Sequence, residues 1–390
     1  MPFAAQPDFN SRLTAFLFER GMQFIHPGLA GGGVSRGFDR RELAYEYAYT
    51  EITGYALSCL LDLDAAGRVD QLAAARAYLL EVQRLADGSA DAGAFCHSVD
   101  PQSGAVRREY YSFDAAMCVQ GLADLHAASG DGEALAAAER GARWLVERAQ
   151  LPDGSFRAVI IPGGEDEAAA RDVIFGDQGV LHAKHAIGLL KVWRAGGEER
   201  YRAAARAVCD WALGLQNPDG SFRASPRSGQ TASHTHCYAV EGLLYAGHCL
   251  GEERYQTAAR RAGEWLARRQ NRSGSLNIAY NRPPWTLGRR VVELVRPLQV
   301  GDATAQALRI WLLLDAAAGE RRYAAACSRA MAFLRRAQVG EATDPRALGG
   351  IEYWPGHPML FAWVGMFALQ AARWLENDAR DHARMIESLF

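Results

Sequence analysis

Apolar positions along this chain recur at helical spacing in two alternating kinds of segment. The first kind is amphipathic and ends at a glutamine followed by a glycine turn. RGARWLVERAQLPDGSFRA (140–158) returns as RAVCDWALGLQNPDGSFRA (206–224), with weaker copies in RRAGEWLARRQNRSGSL (260–276), SRAMAFLRRAQVGE (328–341) and RAYLLEVQRLADGS (76–89). Trp144, Leu145 and Ala149 fall at helical spacing, and the Asp-Gly beyond Gln150 tolerates positive φ and stops the helix. The second kind is apolar on most faces and rich in Ala and Gly, as expected of helices packed on both sides. It covers 45–63, 110–127, 176–193, 233–249, 300–317 and 358–375. Six inner helices, the repeated outer ones, and a sixth outer helix from Phe9 to about Phe24 predict an all-α fold. That fold is a single (α/α)6 toroid: one domain over 1–390, with six helical hairpins around a central cleft.

Loop lengths orient the ring. Inner-to-outer connections are short (SGDGE, GGEER), whereas outer-to-inner connections are long and rich in Gly, Pro, Arg and aromatics, as in 272–300. Long irregular loops in a compact domain usually carry function. The functional face is therefore expected where inner helices begin, and there six helix N-termini favour an anionic ligand.

Composition removes several classes of function. Hydrophobic residues make up 49% and charged residues 23% of 390 residues, ordinary values for a chain with a sizeable core. A net charge of −2 with interspersed signs provides no basic stripe, so nucleic acid is not an expected partner. No segment reads as a membrane span or a signal peptide, which points to the cytoplasm. The seven cysteines are odd in number and mostly lie in apolar helical stretches, as reduced core thiols do. The sequence leaves the oligomeric state open.

The pattern Arg-x-x-x-Trp-Leu-x-x-x-Gln-x-x-Asp-Gly-Ser-Phe resembles the QW repeat of squalene and terpene cyclases and of prenyltransferase β-subunits. Phe156 and Phe222 stand where those have Trp. The resemblance implies the toroid and leaves the chemistry open, because toroids also host glycosidases, lyases and sugar epimerases. The Asp-x-Asp-Asp cluster of the cyclases is missing; the nearest string, LLDLDAAG at 60–67, lies at the far end of an inner helix. The prenyltransferases hold zinc with Asp-x-Cys and a distant His. HTHCYAV at 234–240 is similar, except that His236 precedes Cys237, and His234, His236 and Cys237, or His236, Cys237 and His357, have ligand types that zinc accepts. The alternative is a core thiol beside ordinary histidines, and the expectation is no cofactor. The chain also resembles carbohydrate-active toroids: unsaturated glucuronyl hydrolases, glucuronyl C5-epimerases and VpsJ-type exopolysaccharide proteins. The first of these carry two aspartates at the starts of neighbouring inner helices, where this chain has Asp114 and Asp177.

Acids and histidines gather at the inner-helix starts. Glu51, Asp114, Asp177, His234 and His236 are the candidate catalytic residues; His182, Asp302 and His357 lie close to them in the pattern. Each acid alone could be a helix cap. Capping does not account for the surrounding aromatics, among them Tyr49, Tyr110, Tyr111, Tyr238, Trp285, Trp354 and Trp363, whose polar-tipped rings suit a pyranose face. Loop arginines such as Arg290 suit a carboxylate. Glu51, amid Ile, Gly and Tyr, reads as a partly buried carboxyl with a raised pKa. These features predict an enzyme acting by acid–base catalysis on an anionic, uronic-acid-type sugar, as hydrolase, epimerase or lyase. An isoprenoid-handling enzyme and a non-catalytic glycan-binding assembly protein are the alternatives.

Overall fold

The structure, a computed structural model, describes residues 8–64, 66–87, 90–162, 178–281, 298–377 and 381–390. Among these residues thirteen α-helices are joined by strands of two or three residues. The outer helices are α1 (Asp8–Phe18), α3 (Val69–Arg84), α5 (Gly132–Trp144), α7 (Glu199–Leu213), α9 (Glu253–Arg269) and α11 (Ala324–Ala337). The inner ones are α2 (Thr50–Asp64), α4 (Ser112–Ser129), α6 (His185–Arg194), α8 (Ser233–Leu250), α10 (Gly301–Ala318) and α12 (Ala362–Glu376), with a 3₁₀ turn over Val180–Lys184 leading into α6. Each inner helix packs on the next and α12 returns to α2, while α1 lies against α12 as the sixth outer helix. The ring is closed, and the fold is the expected all-α (α/α)6 toroid.

Burial follows from that position. Outer α5 buries Ala134, Ala137, Ala138, Gly141 and Ala142, one stripe at three- and four-residue steps. Inner α4 is buried on all sides from Ser112 to Ala123. Inner helices touch backbone to backbone: a Cβ on Gly121 would sit 2.3 Å from the Gly54 oxygen, so no larger residue fits there.

The repeated glutamine is a staple. The side-chain amide of Gln83 donates to Gly93 O at 3.1 Å and Ala137 O at 3.0 Å, tying the end of α3 to α5. Gln150 repeats this with Gly154 and Ala204, Gln216 with Gly220 and Ala258, Gln270 with Gly274 and Ala326. Gln338 reaches Gly349 and Phe9, and Gln23 reaches Gly32 and Gln71, so six staples run around the shell and through the closure. The glycine in each is forced by geometry. Gly220 has φ +97°, and a Cβ there would lie 2.5 Å from the Arg261 carbonyl oxygen.

Three inner helices start two to five residues later than the apolar pattern suggests, at Thr50, Ser112 and Ala362. The preceding residues are taken up by short antiparallel pairings with neighbouring loops: Ala48–Tyr49 with Ser98–Val99, Tyr110–Tyr111 with Val159–Ile160, and Met359–Phe361 with Gly37–Asp39. Helix α1 likewise ends at Phe18, short of Phe24. The pairings lace the mouth of the ring. The opposite end is filled by α13 (His382–Glu387) and the residues after it, with Gln120 donating to Leu389 O at 2.8 Å and Phe390 against Tyr55 and Phe367.

Candidate functional site

At the mouth, the first turns of α2 and α4 bring two carboxyl groups together. Glu51 opens α2 and Asp114 lies in the first turn of α4. The Tyr49 hydroxyl, on the strand leading into α2, donates to Asp114 Oδ1 at 3.3 Å and also serves Glu51. Asp114 Oδ2 is buried and lacks a partner among the described residues. Burial first, and the Glu51 charge second, push Asp114 well above the usual carboxylate range. Burial also raises Glu51, against the opposing pull of Tyr49, His234, Lys184 and Arg36. Two acids in one dry site share their protons unequally.

Across the ring, α8 and α10 contribute a histidine–aspartate pair. His234 Nδ1 lies 3.2 Å from Asp302 Oδ2 and 3.1 Å from Gln306 Oε1. Both neighbours accept, so Nδ1 carries the proton and Nε2 has the lone pair when the ring is neutral. The His234 side chain is 31% exposed and Asp302 only 2%, which turns the Nε2 edge toward the cleft. Burial alone would lower the His234 pKa; the charges of Asp302 and Glu51, with the hydrogen bonds to Asp302 and Gln306, outweigh it and leave it raised. Tyr238 packs edge-on at 4.3 Å and the Tyr353 hydroxyl bonds Asp302.

Aromatic walls flank these groups. One holds Tyr47, Tyr49, His97 and Tyr111; the other holds Tyr353, Trp354, His357 and Phe361, with Trp363 stacked on Phe361 at 4.3 Å. Arg36 lies over Phe361 at 4.8 Å and pairs with Glu46 at 2.8 Å. Trp363 Nε1 and Gln306 Nε2 are buried without partners among the described residues.

Of the candidates read from the sequence, Glu51, Asp114, His234, Tyr49, Tyr111, Tyr238, Asp302, Trp354, His357 and Trp363 all lie around this mouth. Asp177, Trp285 and Arg290 lie outside the described residues. Three expectations are corrected. His236 is two residues from His234 on α8 and so projects from the opposite side: it is fully buried against Trp265, and its Nδ1 accepts from Phe222 N at 3.1 Å. Tyr110 alternates with Tyr111 on its strand and packs edge-on against Trp144, between the shells. His182 is buried against Phe156 and His185 in the same interlayer space. The residues of the two candidate zinc sets are not brought together, since His234 and His236 project from opposite sides of α8 and Cys237 Sγ faces Ala303 O; among the described residues no three such ligands converge.

The sequence reading passes over Arg36, Lys184, Glu241 and Gln306. Lys184 had a signal, a lysine inside the apolar stretch VLHAKHAIGLL; Arg36, in a glycine-rich loop before the first inner helix, had none.

The fold is similar to that of α/α-toroid, six-hairpin enzymes of known structure. Cellobiose 2-epimerase from Bacillus thermoamylovorans superposes with TM-score 0.73 at 12% identity, covering 93% of this chain and 96% of that one. D-mannose isomerase gives 0.69 at 13%, covering 95% and 96%. Unsaturated glucuronyl hydrolase from Bacillus sp. GL1 gives 0.63 at 16%, covering 88% and 92%. No protein-family profile and no curated protein sequence matches the chain. Among the described residues no helix is long and apolar enough to cross a membrane.

Proposed function

We propose that this protein is a carbohydrate-active enzyme that moves a proton on and off a sugar, and that epimerisation or isomerisation is the reaction its site suits best. The observation that carries this reading is the His234–Asp302 pair facing the Glu51–Asp114 pair across the ring. His234 Nε2 takes a proton from a carbon beside a carbonyl. The C–H electron pair moves into a carbon–carbon double bond as the carbonyl oxygen takes the proton of the neutral carboxyl, Asp114. Return of a proton to the other face of that carbon, as the enediol oxygen gives its proton back to Asp114, gives the epimer; return to the former carbonyl carbon, as the neighbouring hydroxyl gives up its proton, gives the isomer. No oxidant is needed. Acid and base each contribute about 10²–10⁴-fold.

The surroundings favour a polyhydroxylated ligand. The exposed edge of His234 and the hydroxyl and N–H tips of the wall residues offer hydrogen bonds, and the two aromatic walls offer faces for stacking. An isoprenoid would leave those polar atoms unpaired. Arg36 and the helix N-termini suit the carboxylate of a uronic-acid-type sugar. The names of the epimerase and isomerase neighbours agree with proton transfer. Hydrolysis is the second reading, supported by the interacting Glu51–Asp114 carboxyl pair and by the glucuronyl hydrolase likeness.

The test is incubation with aldoses, uronates and disaccharides in deuterated water, followed by NMR. Solvent deuterium on a sugar carbon supports proton transfer; new reducing ends without deuterium favour hydrolysis; neither, across the panel, removes the sugar reading.

A further inference from the structure

One equivalent position on the outer helices breaks from helix to helix. In each staple the turn glycine lies against a main-chain oxygen of the next outer helix, and those oxygens belong to Arg12, Ala74, Arg140, Ala207, Arg261 and Arg329. Seven residues further on, about two turns nearer the mouth and on the same face of each helix, come Glu19, Glu81, Glu147, Gly214, Arg268 and Arg336. The three glutamates pair with arginines, Glu19 with Arg68, Glu81 with Arg84 and Glu147 with Arg200. On α9 and α11 the sign is reversed, so the staple itself does not require a cation there.

The reversal belongs to a charged face. Residues 254–336 hold sixteen arginines against five acids in a chain of net charge −2, so the near-neutral whole conceals a basic sector that the interspersed signs did not suggest. Helix α11 has three arginines and no acid. Arg261, Arg268, Arg269, Arg272, Arg329 and Arg336 are exposed. Arg261 donates to Asn217 O and Pro218 O, Arg268 to Asp219 O, Arg329 to Gln270 Oε1 and Arg336 to Ser273 O, all neutral oxygens that leave the charge of the cation in place. Acids beside them are few. Glu264 is held by Arg322 at 2.8 Å and lies 3.9 Å from Arg268, and the Asp219 carboxylate accepts from Trp265 Nε1 and Ser221 N.

This face adjoins the mouth. The turn after α9 is tied to the starts of the two helices that carry His234 and Asp302: Ser233 N donates to Ile278 O at 3.1 Å, Leu276 N to Thr304 Oγ1 at 3.0 Å, and Ser273 Oγ to Gln299 Oε1 at 2.9 Å. We propose that the face of α9 and α11 beside the mouth is a docking surface for an acidic polysaccharide, holding the chain whose end enters the cleft. Charge complementarity calls for a polyanion, and the planar fork of arginine meets a carboxylate with two hydrogen bonds at once. A membrane would need an apolar face, and the sector exposes one large apolar residue among those described, Leu298. Polysaccharide rather than nucleic acid follows from the neighbouring cleft, and so rests on the sugar reading of that cleft.

The probe is polygalacturonate, a linear polyuronate, titrated against the intact protein at low salt, with dextran, duplex DNA and phosphatidylglycerol vesicles alongside. Polygalacturonate is expected to bind, more weakly as salt rises, and dextran is expected not to bind. Arg268→Glu with Arg336→Glu gives both positions the side chain that the same position has at Glu81 and Glu147, so the melting temperature should hold while binding of the polymer weakens at least about tenfold. Arg84→Glu with Arg143→Glu, the same charge change on α3 and α5, should bind as wild type does. Should the first pair fail to fold, Arg268→Gln with Arg336→Gln decides. Wild-type affinity in the folded α9–α11 variant, an equal loss in the α3–α5 control, no binding of polygalacturonate, or tighter binding of DNA or vesicles each overturns the proposal. The titration reads binding and not turnover, so a protein that exchanges deuterium into no sugar would lose the sugar reading without changing this result.

Discussion

The outer shell and the mouth of this ring are built on opposite rules. In the shell the same device recurs: a glutamine amide bonded to a glycine carbonyl and to the neighbouring outer helix, at Gln23, Gln83, Gln150, Gln216, Gln270 and Gln338. At the mouth, equivalent first turns carry different residues: Glu51 on α2, Asp114 on α4, His234 on α8, Asp302 on α10, Trp363 on α12. Closing a ring of similar units needs one joint repeated; acid–base chemistry needs dissimilar groups facing one another. In such a repeat, the positions that keep the pattern carry the architecture and those that break it are where chemistry should be sought.

The largest effect that can break this contrast is expected at Asp114. Asp114→Asn should lower activity about 10²–10⁴-fold. It should leave the melting temperature unchanged or raise it, because it removes a buried carboxyl with an unpaired oxygen. Equal losses of stability and activity would make Asp114 a structural residue.

Next comes the shell. Gly220→Ala forces a Cβ to 2.5 Å from the Arg261 oxygen at φ +97°, and should destabilise by about 2–4 kcal/mol in urea unfolding, with turnover by the folded fraction intact. A neutral substitution would show that the joint is slack.

A smaller effect is set by acid. Burial lowers His182 to about 3 and His236 to about 4, against an ordinary value of 6.5. Below 6.5 the unfolded chain binds protons that the native state refuses. The stability these histidines contribute is therefore complete above pH 6.5 and is lost as pH falls toward 4, at up to about 1.4 kcal/mol per unit for each. Urea midpoints of wild type minus those of His182→Gln, followed from pH 7 to 4.5, should show that fall. A flat difference would mean that the histidine titrates freely.

The smallest effect separates two adjacent tyrosines. Tyr110→Phe, between the shells, should change activity less than twofold. Tyr111→Phe, on the mouth wall beside His97 and bonded to Glu109 at 2.9 Å, should raise KM several-fold by loss of a hydrogen bond of about 1 kcal/mol. Equal effects would erase the distinction between the two faces of that strand.

The shell was legible in the sequence because its joint is local and recurs: Gln, Asp-Gly and an apolar stripe appear within one short window, copy after copy. Inner helices were legible from their uniform apolar content, except at their starts, where pairings with distant loops override local preference. The mouth was half legible. Glu51, Asp114, His234 and Asp302 stand at helix starts, but helical phase decides which side chain faces the axis: His236, on a helix that begins at Ser233 as expected, is two residues from His234 and so on the other side, while Tyr110 falls on a strand before α4 and alternates with Tyr111. Arg36 reaches the mouth from a loop whose course no periodicity fixes. Lys184 is concealed in the sequence by the two histidines beside it, yet the lysine lies at the axis while His182 and His185 are packed between layers.

The central claim is tested most directly by measuring two variants side by side, for melting temperature and for exchange of solvent deuterium into the sugar that wild type converts. His234→Asn should lose exchange by at least about 10²-fold while melting with wild type. Gln216→Ala, which orphans the Gly220 and Ala258 carbonyls, should lose about 1–3 kcal/mol of stability and exchange deuterium at the wild-type rate. Full exchange by His234→Asn, or loss of exchange in a folded Gln216→Ala, would contradict the assignment of chemistry to the positions that break the repeat.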